Sequence, residues 1–131
     1  MGDGPSDPLE VGRAFVRALS AKDTASIASL LDARIDFRGL TPGSEWRAES
    51  PDTVLEILFG SWFEPTDHIR EVLDVQTRSA ADRSHLLYRL RVENEDGSNV
   101  VEQQGYYDAE DGRITKMSLM CAGYRPWSST G

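Results

Sequence analysis

The first part of the chain has apolar residues three and four positions apart, which is the spacing of amphipathic helices. Residues 9–21 show this pattern, and Asp7 stands before them as an N-terminal cap. Asp23 can cap a second, short helix, and Ser50 with Pro51 can begin a third. We therefore predict three helices, each packed through one face. Their apolar positions are Val11, Ala14, Phe15, Ala18 and Leu19, then Ile27, Leu30 and Leu31, then Val54, Leu55, Leu58 and Trp62.

Apolar and polar residues alternate in the rest of the chain, which is the pattern of β-strands. One short strand is predicted at residues 35–38, before a glycine-containing loop that ends near Trp46. A longer alternating region at 68–123 is divided into four strands by breaks at 79–84, Asp96-Gly97 and Asp111-Gly112. Helices followed by consecutive hairpins predict an α+β fold, with three N-terminal helices packed on a curved, mostly antiparallel sheet.

The two Asp-Gly pairs fix the register of the hairpins if each pair forms a two-residue turn. One face of the middle strand then carries Glu102, Gln104, Tyr106 and Asp108. The predicted partners are, in the same order, Arg91, Arg89, Leu87 and His85 before it and Cys121, Leu119, Met117 and Thr115 after it. The opposite face is apolar apart from Gln103, Lys116 and Ser118. Since both faces are partly apolar, we expect one to pack under the helices and the other to form a homodimer.

Length and composition limit the classes of protein to which this chain can belong. The 131 residues fit one globular domain, expected at 9–127 between flexible ends at 1–8 and 128–131. The net charge of −8 comes from acids along the whole chain, which argues against a nucleic-acid partner. Cys121 is the only cysteine, and no apolar run resembles a secretion signal or a membrane helix, so a cytoplasmic location without membrane contact is predicted.

Residues 18–31 read ALSAKDTASIASLL, and residues 100–126 read VVEQQGYYDAEDGRITKMSLMCAGYRP. The first segment resembles the first helix joint of the nuclear transport factor 2-like (SnoaL-like) superfamily. The second resembles its last hairpin, in particular that of uncharacterised bacterial members. The resemblance implies a cone-shaped fold with a pocket between the concave sheet and the helices. The superfamily includes ketosteroid isomerase, polyketide cyclases, dehydratases, epoxide hydrolases and non-enzymatic adaptors, so it implies no single reaction.

The comparison with ketosteroid isomerase implies that its chemistry is absent. Phe15 takes the place of an oxyanion-hole tyrosine, and Phe37 or Arg38 falls near the catalytic aspartate. Gln104 aligns with the second oxyanion-hole acid, which implies that its face of the sheet lines the pocket. The residue types of limonene epoxide hydrolase-like members are present without a matching arrangement, as Arg89, Arg91 and Asp108.

Three residues are candidates for acid–base catalysis, and each has a structural alternative. Glu102 could act as a general base if burial favoured its protonated form, but a cross-strand ion pair with Arg91 is the favoured interpretation. His85 and Asp108 could form an imidazole–carboxylate unit, but a solvated pair near the strand ends is favoured.

Gln104 and Tyr106 could bind a ligand carbonyl or hydroxyl, or form a satisfied core network; the two readings carry equal weight. A ligand site would have a cavity of at least ~300 Å³, lined by Gln104, Tyr106, Met117 and Leu119. The full predicted lining adds Phe15, Trp46, Trp62, Arg89, Arg91 and Cys121. Cys121 is expected to be a buried apolar residue and not a nucleophile.

Neither a metal nor a cofactor is predicted, because the two histidines and one cysteine lack ligand spacing and no phosphate-binding glycine motif follows a strand. The sequence therefore predicts a pocket protein for a small organic ligand, leaving open whether it is an enzyme. If catalytic, it would be a cofactor-independent isomerase, cyclase or hydratase acting on an apolar substrate. The alternative is a non-catalytic, dimeric ligand-binding or interaction module.

Overall fold

The computed structural model describes residues 7–127, so the predicted flexible ends lie almost wholly outside the described residues. The three predicted helices are confirmed as α1 (Pro8–Ser20), α2 (Thr24–Leu30) and α3 (Pro51–Ile57), and a π-helical turn, Leu58–Trp62, continues α3. Each predicted cap accepts a backbone N–H near its helix start: Asp7 from Leu9, Asp23 from Ser26 and Ser50 from Thr53. No helix among the described residues is long and apolar enough to cross a membrane.

The strands form one six-stranded sheet in the order β2-β1-β6-β5-β4-β3. Strands β1 and β6 are parallel, and the other neighbours are antiparallel, as the α+β prediction requires. The predicted loop near Trp46 is wrong in part, because this residue lies in a strand that forms a hairpin with β1. The strands are β1 (Leu31–Thr41), β2 (Ser44–Ala48), β3 (His68–Ala80), β4 (Arg83–Asn94), β5 (Gly97–Glu110) and β6 (Arg113–Pro126).

The helices cover one face of the sheet, which we call the helix-facing side. Its side chains join the buried faces of the three helices in a single core. The sheet contributes Ile35, Phe37, Leu86, Tyr88, Leu90, Val92, Val101, Gln103, Tyr107, Ile114, Met117, Leu119 and Cys121 to the buried set. The residues that alternate with them point to the other side, which we call the outer face.

The predicted register between β4 and β5 is wrong by two residues. Asn94 pairs with Gly97, so the turn residues are Glu95 and Asp96. The Asn94 side chain accepts the backbone N–H of Asp96, and Gly97 takes the positive φ that follows such a turn. A shift of two keeps every side chain on its predicted face but changes its partner.

The predicted register between β5 and β6 is wrong by one residue, which moves side chains to the other face. Asp111 and Gly112 do form the turn, with φ of 52° and 78°. A β-bulge follows at once, because Ala109 pairs with Ile114 but Asp108 pairs with Lys116. The bulge places Ile114 and the odd-numbered residues Met117, Leu119 and Cys121 together on the helix-facing side, where all four are buried.

Hydrogen bonds from tyrosine hydroxyl groups connect the layers. Tyr107 donates a hydrogen bond to the carbonyl oxygen of Pro8 at 2.5 Å, and Tyr124 donates one to that of Trp62 at 2.9 Å. Burial is the main cause that raises the pKa of both phenols. The pKa of the fully buried Tyr88 is raised well above its ordinary 10.0 for the same reason.

Because of these raised pKa values, we expect the folded protein to lose stability in alkaline solution. The unfolded chain loses its phenolic protons first as pH rises, so the stabilisation is complete below pH 10 and declines above it. For Tyr88 the decline is about 1.4 kcal/mol per pH unit. Circular dichroism and phenolate absorbance at alkaline pH should therefore change together, whereas phenolate signal from all the tyrosines before any loss of structure would contradict this.

Candidate functional site

The structure divides the predicted pocket lining between the two faces of the sheet. Phe15, Trp62, Met117, Leu119 and Cys121 are buried on the helix-facing side. Arg89, Arg91, Gln104 and Tyr106 lie on the outer face, so the implied placement of Gln104 toward a helix-covered pocket is wrong. Trp46 is half-buried in β2, with its indole N–H donating to the Thr41 hydroxyl at 2.9 Å.

The three acid–base candidates also lie on the outer face. Glu102 forms an ion pair as expected, but its partner is Arg89 at 2.7 Å, because Arg91 pairs with Glu71. The pairing of His85 with Asp108 is wrong. Asp108 binds Arg83 at 3.0 Å, and His85 lies edge-on to the Tyr106 ring with centroids 5.0 Å apart.

A groove of about 300 Å³ opens on the outer face. Gln104 and Tyr106 line it with their side chains, and Leu119 borders it although its side chain is buried on the helix-facing side together with Met117. The β6 bulge therefore separates the four residues of the predicted cavity. The groove therefore lies on the face away from the helices, which differs from the position that the family resemblance implied.

The helix-facing side contains a polar pair that the sequence analysis passed over. Gln103 on β5 is completely buried and lies opposite Tyr88 on β4. The Tyr88 hydroxyl donates a hydrogen bond to Gln103 Oε1. Burial first, and the nearby Cys121 thiol second, raise the pKa of Tyr88, so its hydroxyl remains protonated.

The amide nitrogen of Gln103 differs from the amide oxygen, which accepts the Tyr88 hydrogen bond. Gln103 Nε2 is buried and has no hydrogen-bond partner among the described residues. A buried amide N–H without a partner costs about 1–3 kcal/mol. Its neighbour across the β5–β6 ladder is Cys121.

Trp62 presents a second buried donor of the same kind. Its Nε1 has no hydrogen-bond partner within residues 7–127, although the side chain is only 6% exposed. The indole lies on β1 at Gly39, where an added Cβ would be 2.6 Å from Trp62 Cζ2. It also contacts the Phe37 ring, with centroids 6.1 Å apart.

Hydrogen bonds from several elements hold the turn that carries Trp62 and the segment that follows it. Tyr124 on β6 donates to the Trp62 carbonyl oxygen at 2.9 Å. The buried Asp67 accepts the Glu64 N–H and the Asn94 amide, each at 3.0 Å. Lys22, at the joint between α1 and α2, donates to the carbonyl oxygens of Glu64 and Asp67 at 2.9 and 2.5 Å. Tyr124 therefore holds the π-helical turn directly, and Lys22, Asp67 and Asn94 hold the segment that follows it.

The sequence signal for the buried Tyr88–Gln103 pair was a polar residue that interrupts an apolar strand face. Gln103 was visible as such an interruption, and Tyr88 as an apolar neighbour on the same face. The β6 partner could not be found in the same way, because the bulge at Thr115 decides which β6 residues face Gln103.

Searches with protein-family models and among curated proteins find no match to this chain. Several solved structures are similar to this chain in fold. A proposed isomerase from Bacillus subtilis superposes with a TM-score of 0.70 at 18% identity, covering 87% of this chain and 85% of the other. A proposed polyketide cyclase from Pseudomonas putida KT2440 gives 0.68 at 13%, covering 96% and 95%. An LEH-like epoxide hydrolase from M. tuberculosis gives 0.64 at 13%, covering 87% and 81%.

These similarities confirm the predicted architecture. The chain has the nuclear transport factor 2-like fold, with three helices on a six-stranded, mostly antiparallel sheet. At identities of 13–18% the likeness defines the fold, and function has to be argued from the residues of the site.

Proposed function

We propose that this chain binds a small, largely apolar organic molecule on the helix-facing side of its sheet, through one acceptor oxygen of the ligand. The observation that carries the proposal is the pair of buried N–H donors, Gln103 Nε2 and Trp62 Nε1, which lack partners among the described residues. Trp62 belongs to the apolar core, and Gln103 is completely buried on the sheet face that this core covers. Each residue is held by a hydrogen bond at another of its atoms, Gln103 at Oε1 and Trp62 at its carbonyl oxygen.

The chemistry of the two donors favours a carbonyl ligand. A carbonyl oxygen is a neutral acceptor with two lone pairs and can satisfy a buried N–H donor of either kind. Both donors are neutral, and an ionised carboxylate would lose far more hydration on burial than a carbonyl would. The apolar core residues on this side of the sheet, including Phe15, Phe37 and Leu119, suit the hydrocarbon part of such a ligand.

The same arrangement would polarise a bound carbonyl. An N–H donor that is fixed in apolar surroundings withdraws electron density from the oxygen that it binds, which activates the neighbouring carbon atoms. The Tyr88 hydrogen bond to Gln103 Oε1 polarises the amide and strengthens its N–H as a donor. We therefore propose an isomerase, cyclase or hydratase of a carbonyl compound as the catalytic form of this function. Neighbours in structure described as a proposed isomerase and a proposed polyketide cyclase support that class.

The proposal can be tested with matched probes. Thermal shift and calorimetry would compare acetophenone with ethylbenzene, and 2-acetylnaphthalene with 2-ethylnaphthalene; each pair has nearly the same shape and differs in the carbonyl. We expect the ketone of at least one pair to bind about tenfold more tightly than its hydrocarbon, because only the ketone can accept a hydrogen bond from a buried donor.

The adjacent glutamines supply the control. Gln103→Leu should abolish the preference for the ketone, whereas Gln104→Leu, the same change on the outer face, should keep it. Equal binding of ketone and hydrocarbon by the wild-type protein, or equal losses in the two variants, would refute the proposed site.

A further inference from the structure

The two buried donors of the proposed ligand site are closed off from solvent. Gln103 is completely buried, and Trp62 is only 6% exposed. A small organic molecule can therefore reach either donor only after part of the layer that covers it has moved. The sheet and helix α1 are regular elements, in which opening breaks several backbone hydrogen bonds together. An irregular part of the covering layer can move at a lower cost.

Residues 58–67, which we call the gate, form such an irregular part. They comprise the π-helical turn, Leu58–Trp62, and the stretch that leads from it to β3. π-helical turns are rare in proteins and are found frequently at functional sites. Gly60 in this turn is exposed, and an added Cβ there would meet no atom within 4 Å. The outer side of the gate therefore has free space into which the turn can move.

The inner side of the gate is apolar and rests on the sheet. The Trp62 indole lies on Gly39 of β1, where the missing side chain leaves room for the ring. Phe63 is completely buried and faces the ring of Tyr124 on β6, with centroids 6.4 Å apart. The gate thus carries one of the two proposed donors, so that its movement would uncover the ligand site.

Lys22 holds the gate from the joint between α1 and α2. Its ammonium group donates to the carbonyl oxygens of Glu64 and Asp67, and hydrogen bonds from a charged group are stronger than neutral ones. The backbone of Lys22 has a φ of 52°, the left-handed conformation in which glycine is the usual residue after a helix. Lysine accepts the strain of this position and places a donor at the gate, which glycine could not do.

Cys121 provides a way to observe the gate. It is buried and pairs with Gln103 across the β5–β6 ladder. After burial, which is the main cause, the Cys121 thiol contributes to the raised pKa of both Tyr88 and Tyr124. The thiol therefore lies near the buried polar pair and near the residue that faces the gate. Because it is the only cysteine of the chain, its reaction with a thiol reagent reports access to the ligand site.

We propose that residues 58–67 open and close over the ligand site and that Lys22 is the positioning residue that keeps them closed. Opening breaks the two Lys22 hydrogen bonds and lifts Trp62 from Gly39, while the helices and the sheet keep their structure. The proposal rests on the proposed function for its purpose, which is to admit a ligand to the donors of Trp62 and Gln103. Lys22 itself touches no ligand.

Labelling of Cys121 with dithiobis(nitrobenzoic acid) tests the role of Lys22. Lys22→Met should label about tenfold faster than the wild type, because methionine keeps an apolar stem but cannot donate a hydrogen bond. Lys116→Met is the matched control, since the other lysine of the chain is exposed on the outer face of β6 and should leave the rate within about twofold. Lys22→Arg should restore slow labelling, because a guanidinium can donate to both carbonyl oxygens. An unchanged rate in Lys22→Met would overturn the proposal.

Urea and hydrogen–deuterium exchange distinguish the gate from global unfolding. Local opening exposes little surface, so the labelling rate should be nearly constant up to about 1 M urea, whereas labelling through global unfolding would rise steeply. Exchange in Lys22→Met should be faster in residues 58–67 and unchanged in α1 and β4. Faster exchange throughout the chain would show that Lys22 only supports overall stability and would contradict the gate.

Gly39→Ala tests the gate from its inner side. The added Cβ would lie 2.6 Å from Trp62 Cζ2, so the indole has to move away from β1. We expect Cys121 to label at least about fivefold faster, because the closed position of the gate is destabilised. Gly60→Ala adds the same methyl group on the free outer side of the gate and should not accelerate labelling. Equal rates in the two alanine variants would argue against opening at Trp62.

The gate and the ligand site can fail independently. Thiol labelling and hydrogen exchange need no ligand, so they decide on the gate whether or not a ketone binds. Stopped-flow mixing with 2-acetylnaphthalene should give association and dissociation rates that are both about tenfold higher in Lys22→Met, with Kd within about threefold. Equal rates in the two proteins would show that the ligand enters elsewhere and would overturn the gate. Absence of a ketone preference in the wild type would count against the proposed function alone.

Discussion

Replacing Gly105 by alanine should destabilise the protein by about 3 kcal/mol or more, the largest effect that we expect of any single methyl group in this chain. An added Cβ at Gly105 would collide with the carbonyl oxygen of Ser118 and lie 2.9 Å from the Cα of Leu119. Both contacts are with the backbone of β6, so no side chain can rotate away. Gly105 lies between the two bulges of the β5–β6 ladder, where the strands approach closely.

Urea denaturation followed by circular dichroism measures this effect. Gly60→Ala is the matched control, because a Cβ at Gly60 meets no atom within 4 Å and this glycine lies in the π-helical turn. We expect its free energy of unfolding to stay within about 0.5 kcal/mol of the wild type. If the two alanine variants are equally stable, the close approach of β5 and β6 at Gly105 is not part of the folded state.

The buried pair of Tyr88 and Gln103 should give a non-additive double-mutant cycle. Tyr88→Phe leaves Gln103 Oε1 without its donor, and Gln103→Leu leaves the Tyr88 hydroxyl without its acceptor. Each single change should cost about 1–3 kcal/mol of unfolding free energy. The double variant replaces both groups by apolar ones and removes the unpartnered Nε2, so it should be at least as stable as the better single variant.

The outer face again provides the comparison. The same two substitutions at Tyr106 and Gln104 should change stability by less than about 0.5 kcal/mol each and should add, because these side chains are solvent-accessible. Additive losses for the buried pair would argue against the hydrogen bond. A double variant that is stable but no longer distinguishes ketones from hydrocarbons would indicate that the polar pair is retained for binding at a cost in stability.

Local signals in the sequence were sufficient to predict the helices and the order of the hairpins. The caps at Asp7, Asp23 and Ser50 act within three residues, so their effect does not depend on the rest of the fold. The Asp111-Gly112 turn is equally local, since both residues adopt positive φ in place.

The candidate site was harder to predict from the sequence than the helices were. Turn chemistry predicted an ordinary hairpin after Asp111-Gly112, but one extra residue at Thr115 reversed the faces of β6 beyond it. The bulge places Met117, Leu119 and Cys121 on the face of Gln103, whereas the predicted register had placed them on the face of Gln104. The predicted pocket thus combined residues that lie on opposite sides of the sheet.

The sequence by itself determined the α+β fold, the three helix starts and the alternation of faces along each strand, because these depend on spacing and on contacts within a few residues. Only the tertiary structure decided which polar residue is buried. Ile114 and Met117 cannot both face the core of a regular strand, and the burial of both requires a bulge whose position depends on the helices packed above it. The helices cover the face of β5 that carries Gln103 and Tyr107, and the bulge adds Met117, Leu119 and Cys121 to that same face.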